Sequence, residues 1–135
     1  MRVLDTAVVV AAFASWHESH EVARRELASR PRITSHGMVE TLSVLTRLPV
    51  PHRVPGPLVA QFLARAFDDP PLELGGKQVA HLVTERLPTL DISGGAVYDA
   101  LIAETTRVAG GELVTFDRRA LRVYERVGCP VVLLG

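Results

Sequence analysis

Apolar positions along this chain fall into two kinds of run. Arg2-Val-Leu-Asp5, Glu112-Leu-Val-Thr-Phe116 and Val131-Val-Leu-Leu134 are brief and rich in Val and Leu. Runs of that length, bounded by polar or turn residues, fit strands buried on both faces. Elsewhere apolar residues recur every three or four positions. Val22, Ala23 and Leu27 do so, as do Met38, Leu42 and Leu45, and Val59, Phe62, Leu63, Ala66 and Phe67. Val79, Ala80, Leu82 and Val83 repeat the pattern, and so do Ala120, Leu121 and Tyr124. Each set makes a one-sided helical stripe. Ala7 to Phe13 is apolar throughout, where a buried strand and a buried helix look alike. A helix capped by Asp5 or Thr6 is preferred.

Turn and cap signals set the boundaries. Ser35 is expected to cap a helix running to about Arg47, and Ser93 to open one through about Ala109, closed by Gly110-Gly111. Gly128 closes the helix that carries Tyr124. Ile33-Thr-Ser35 and Thr89 to Ile92 read as short extended segments. Pro49, Pro51, Pro55 and Pro57 make a stiff connection, too short to divide the chain. The resulting order, β-α-α-β-α-α-α-β-α-β-α-β, predicts an α/β fold. Its form is a three-layer α/β/α sandwich around a roughly five-stranded parallel sheet. One domain over residues 1–135 is the simplest division.

Composition narrows the function. A hydrophobic fraction of 47% fits a folded class and excludes disorder. Formal net charge is zero, so no global field draws the chain to nucleic acid. Of the 15 basic residues only Lys77 is lysine. Arginine suits bidentate phosphate contact, though a compositional bias explains the same fact. Cys129 is the only cysteine, which excludes an intrachain disulfide and fits a reducing compartment. No secretory leader is expected, because Asp5 interrupts the N-terminus. The apolar run from Ala7 to Ala14 is too short to span a bilayer. No membrane partner and a cytoplasmic location are therefore expected.

Four acids stand out by position. Asp5 ends the first strand and Asp117 follows the strand from Glu112. In an open parallel sheet, ligands bind beyond the carboxyl ends of the strands. Asp99, with Ala96, Ile102 and Ala103 as helical neighbours, is predicted on a sheet-facing side. Glu40 lies between His36 and Val44 on a mixed face. Two like charges about 4 Å apart repel by roughly 4 kcal/mol at an effective dielectric of 20. Such a group needs protons or cations, and an all-oxygen set favours Mg²⁺ or Mn²⁺. Asp5 and Asp117 could equally act only as helix caps, and Glu40 as a solvated side chain.

The segments Val3-Leu-Asp-Thr6, Val39-Glu-Thr-Leu-Ser-Val-Leu-Thr-Arg-Leu48, Tyr98-Asp-Ala-Leu-Ile-Ala103 and Leu113-Val-Thr-Phe-Asp117 together resemble the PIN domain. In particular they resemble the VapC-type toxins of toxin–antitoxin pairs. The order and intervals agree across nearly the whole chain. The resemblance implies a Mg²⁺- or Mn²⁺-dependent endoribonuclease that hydrolyses RNA phosphodiesters through metal-activated water, leaving 5′-phosphate and 3′-hydroxyl ends. It implies that Asp5, Glu40, Asp99 and Asp117 are catalytic and hold the metal, with Thr115 a catalytic polar neighbour. It also implies an RNA substrate, a small VapB-like antitoxin as partner, and a homodimer. Three positions depart from the family pattern. Ala7 stands where many relatives carry Ser or Asn. Arg119 stands where some have a further acid, and Ala120 replaces a frequent aromatic.

Other candidates are weaker. His17 and His20, three apart, lack an evident third ligand, and read as a solvated loop and helix start. His20 also matches a His common at this place in the family, where it packs. His36 is placed to face Glu40 one turn on. Arg118, Arg119, Arg122 and Arg126 follow Asp117 and either touch RNA phosphates or form a solvated face. The stripe Val59/Phe62/Leu63/Phe67 serves either as core or as a groove for the antitoxin. The alternative reading of the whole is a non-catalytic PIN-like module that binds RNA or protein. An aspartyl phosphatase ranks low, since Ala7 breaks its usual Asp-x-Asp start.

Overall fold

The computed structural model describes residues 1–135. Three parallel strands form the sheet: β1 (Arg2–Leu4), β2 (Glu112–Thr115) and β3 (Val131–Leu133), in the order β1-β2-β3. Side chains alternate across these strands. Val3 and Leu113 enter one apolar cluster; Leu4 and Val114 enter the other. Each cluster needs a helical cover, and the helices divide accordingly.

One layer holds α1 (Thr6–Phe13), α2 (His20–Glu26), α3 (Ser35–Thr46) and α4 (Gly56–Ala66). The other holds α5 (Gly76–His81), a π-helical turn at Leu82–Arg86, α6 (Leu87–Thr89), α7 (Ala96–Val108) and α8 (Arg118–Val127). The three-layer α/β/α arrangement is therefore present. Val59, Leu63 and Phe67 are buried, and Phe62 packs edge-on against Phe13 with centroids 5.1 Å apart. That stripe is core, not a groove.

Of the five expected extended segments three are strands, the one around Ile33 makes only bridges, and Thr89 to Ile92 makes none; a bridge at Leu72 was not expected. Val3 pairs with Arg32, and Thr34 with Leu72, each as an isolated parallel bridge. Beyond the free edge of β1 the Arg32–Thr34 segment comes first and Leu72 outside it, and each is cut short by proline. Pro31 precedes Arg32, and Pro70-Pro71 precede Leu72. Proline supplies no N–H to a ladder, so the pairing stops at single bridges.

Two boundaries also differ from expectation. Thr89 to Ile92 is not extended. Its helical turn continues from the π segment, with Leu90 N–H donating to Arg86 O (3.0 Å) and Ile92 N–H to Leu87 O (3.0 Å). Pro88 suits a first helical turn, and Ile92 is apolar because it is buried, not because it is a strand. The cap of α3 is Thr34, whose hydroxyl accepts from Gly37 N (2.9 Å), one residue before the expected Ser35. Likewise α7 begins at Ala96, because Gly94, at φ +61°, turns the chain after Ser93. No helix is long and apolar enough to cross a membrane.

Candidate active site

The first helix starts because Asp5, just past β1, stays extended while its Oδ1 accepts the Val8 N–H (3.1 Å). The same logic recurs after β2. Asp117 Oδ1 accepts from Arg119 N (2.8 Å) and Ala120 N (3.3 Å), starting α8. Both acids are thus helix caps and are held by backbone at the carboxyl edge of the sheet. The capping and site-lining readings coexist.

Asp5, Glu40, Asp99 and Asp117 all line one cavity of about 340 Å³. Glu40 comes from α3 in one layer and Asp99 from α7 in the other, with the two caps between them. Thr6, Ala7, Val10, Val44 and Ile102 supply much of the remaining wall. None of the four acids pairs with an arginine or lysine. Glu40 has only His36, whose Nε2 lies 3.4 Å from its Oε2. The His36 ring in turn stacks on Tyr98, with centroids 5.4 Å apart and planes within 8°.

Burial, with the neighbouring acids adding to it, raises the proton affinity of two of these carboxyls. Burial pushes the Asp5 carboxyl up to about 6, and the nearby Asp117 adds to this. Hydrogen bonds from the Thr115 hydroxyl, Val8 N–H and Tyr124 hydroxyl oppose the rise. Thr115 is fully buried. Its Oγ1 accepts the Asp117 N–H (2.9 Å), leaving its own proton for a carboxylate. Asp99 is also held above the usual carboxylate range, by burial, then Glu40, then Asp117, with His36 opposing.

Two residues of this cavity carry other expectations from the sequence, Tyr124 on an apolar helix stripe and His17 in a solvated loop. Tyr124 lines it and donates its hydroxyl to Asp5 Oδ2 (3.2 Å). Its phenol is held far above the usual range by burial and by the acids Asp5, Asp99 and Asp117. The signal was available: Tyr124 lies seven residues, two helical turns, past Asp117 on one face. His17 also lines the cavity, so it is not simply a solvated loop residue. Its Nδ1 accepts the Ser19 N–H (3.0 Å). His20 sits apart, its Nδ1 2.8 Å from Ala11 O, which matches a packing role. The two histidines do not form a ligand pair.

Hard oxygen donors around a space of this size fit a hydrated cation such as Mg²⁺, which keeps several of its own waters. Yet no three acidic or histidine side chains converge tightly enough to form a closed ligand group in this conformation. Binding would therefore be partly through water.

Residues 2–126 match the PIN domain family. Ribonuclease VapC40 of Mycobacterium tuberculosis (strain ATCC 25618 / H37Rv) is 45% identical over 130 residues, covering 96% of each chain. Ribonuclease VapC27 of the same strain is 37% identical over 135 residues, covering 96% of this chain and 94% of that one. The fold is also similar to that in the crystal structure of VapBC2 from Rickettsia felis bound to a DNA fragment from their promoter. There the TM-score is 0.66 at 16% identity, over 99% of this chain and 98% of that one. The chain belongs to the PIN domain family, among its VapC-type members.

Proposed function

We propose that this protein is a divalent-metal-dependent endoribonuclease and the toxin of a toxin–antitoxin pair. One observation carries the reading: four carboxylates without cationic partners line a single cavity at the carboxyl edge of a parallel sheet. Uncompensated charge of that kind calls for a cation. The relatives named as ribonucleases favour RNA as the substrate.

Asp5, Glu40, Asp99 and Asp117 would hold Mg²⁺ or Mn²⁺, with Thr115 orienting Asp5 and Asp117. The bound ion would supply Lewis-acid stabilisation of charge on the phosphoryl oxygens and make water a better nucleophile near neutral pH. The protein's own part is positional. Val8 N–H and the Tyr124 hydroxyl fix both oxygens of Asp5. Asp99, held above the usual carboxylate range by burial, Glu40 and Asp117, would be relieved of that repulsion by a bound cation. A covalent thiol mechanism is disfavoured. Cys129 is buried in the apolar cluster around Val3, and burial pushes its thiol up to about 11.

Arg118, Arg119 and Arg122 line a separate hollow just past Asp117 and pair with no carboxylate. They are suited to phosphates flanking the scissile bond. A VapB-like antitoxin as partner and a homodimer as the assembly complete the proposal. The first is supported by the VapBC2 complex that shares the fold, the second by the family alone.

A second reading is a non-catalytic PIN-like module binding RNA or protein, favoured by the lack of a tightly converged ligand group. One experiment separates them. Structured RNAs are incubated with the purified protein plus Mg²⁺ or Mn²⁺, plus EDTA, and with Asp99→Asn. The nuclease reading expects cleavage only in the first arm. Cleavage that persists in EDTA or in the variant, or none with either metal, would overturn it.

A further inference from the structure

The chain has one tryptophan, and it is not in the core. Trp16 is 48% exposed, whereas the four phenylalanines are all buried or half-buried. Nor does it sit on a loose loop. His17 N–H donates to Ala14 O (2.9 Å), His20 N–H to His17 O (3.0 Å) and Ser19 N–H to His17 Nδ1 (3.0 Å). The His20 ring, 2.8 Å from Ala11 O, ties the far end of this turn back to α1.

The indole has a defined setting. Its ring lies 4.1 Å from that of His52, tilted by 30°, and 6.0 Å from that of His17. His17 is part of the acid cavity's wall. Trp16 therefore packs on His52 and adjoins a histidine of the cavity wall, while about half of it stays open to solvent. Arg53, next in chain to His52, is tethered by its Nε–H to Leu48 O (2.9 Å) and has no carboxylate partner.

We infer that Trp16, backed by His52, is a stacking platform for an unpaired base of the RNA whose phosphodiester occupies the acid cavity. The inference rests on the nuclease reading and adds the substrate's form: single-stranded, or looped out, near the cleaved bond. A planar indole held in place suits a base because every base has a π-face, and ordering the ring costs little when it is already pinned. Unstacked bases are what proteins read in RNA by this means. A duplex cannot use the platform, because its bases are stacked on one another.

The single tryptophan makes the test direct. Asp99→Asn protein is titrated with a single-stranded 12-nucleotide RNA of mixed sequence, with the same RNA as a duplex, and with inorganic polyphosphate. Indole fluorescence and the anisotropy of end-labelled RNA are followed together. Saturable quenching by the single strand alone is expected. Trp16→Phe should bind the strand nearly as well, and Trp16→Ala about 5- to 140-fold more weakly. Anisotropy showing binding without any change in fluorescence would overturn the platform and leave the nuclease reading intact. So would equal quenching by duplex or polyphosphate. Quenching by the single strand, in a parent protein that cleaves nothing with either metal, would keep the platform and sink the nuclease.

Discussion

The Tyr124 hydroxyl donates to Oδ2 of Asp5 at 3.2 Å, joining residues 119 positions apart. It holds in place the most buried acid of the cavity. It also stabilises the ionised form of that acid, and so opposes the rise that burial imposes.

Tyr124→Phe removes this hydrogen bond and little packing. The Asp5 carboxyl should move further up, so the acid limb of the pH–rate profile should shift to higher pH. Losing a net hydrogen bond worth about 1 kcal/mol predicts roughly fivefold slower cleavage at pH 6, with a smaller loss at pH 8. An acid limb that does not move would show that Tyr124 acts on packing alone.

Stability of the metal-free protein should depend on Asp5 in an unusual direction. The folded state holds the Asp5 proton to about pH 6, against 3.8 for the ordinary group. Between those values the folded state binds more protons, so stability falls as pH rises. Roughly two pH units at 1.36 kcal/mol each give a loss of about 3 kcal/mol, complete above pH 6. Asp5→Asn should therefore be more stable than the parent at pH 7, and about equal at pH 4. Urea melts at the two pH values check this. Saturating Mg²⁺ should restore stability to the parent and not to the variant. An advantage of the same size at both pH values would contradict the account.

Glu104 carries structure, not chemistry. It is 5% exposed on α7 and lies 2.9 Å from Arg86 Nε while accepting from Arg107 Nε at 2.6 Å. Arg86 also donates to Val127 O (2.7 Å), so the group ties the π turn, α7 and α8 together. Glu104→Ala should cost about 1–3 kcal/mol by removing charge-assisted contacts to two partly exposed arginines that water can then solvate. RNA cleavage per folded molecule should be unchanged. Chemical denaturation and an active-fraction assay measure the two separately.

The arginines after Asp117 should contribute to affinity through salt-sensitive phosphate contact. Each contact to a single strand steepens the slope of log K against log salt by about 0.7. Replacing Arg118, Arg119 and Arg122 together with alanine should flatten it by about 2, without changing the metal requirement. Binding of labelled RNA to the Asp99→Asn background at several salt concentrations gives the slope. An unchanged slope would mean a solvated face only.

Much of this molecule was legible before any coordinates. Apolar periodicity reports which side of an element is covered. It therefore exposed the sandwich, the burial of β2 from Leu113 to Thr115 and the inward turn of Asp99 on α7. Asp5 and Asp117 were also readable, because a residue that ends a parallel strand and caps the next helix has nowhere to go but the sheet's carboxyl edge. Periodicity is silent about which covered faces meet, and at what height. Tertiary packing alone decided that Tyr124 reaches Asp5, that His17 lines the cavity, and that Glu104 gathers two arginines. It also decided that Ile92 is buried in a turn with Leu90 half-buried beside it, and that the expected strand around Ile33, flanked by Pro31, makes only bridges. Local chemistry sets the faces; contacts between residues far apart in sequence set the site.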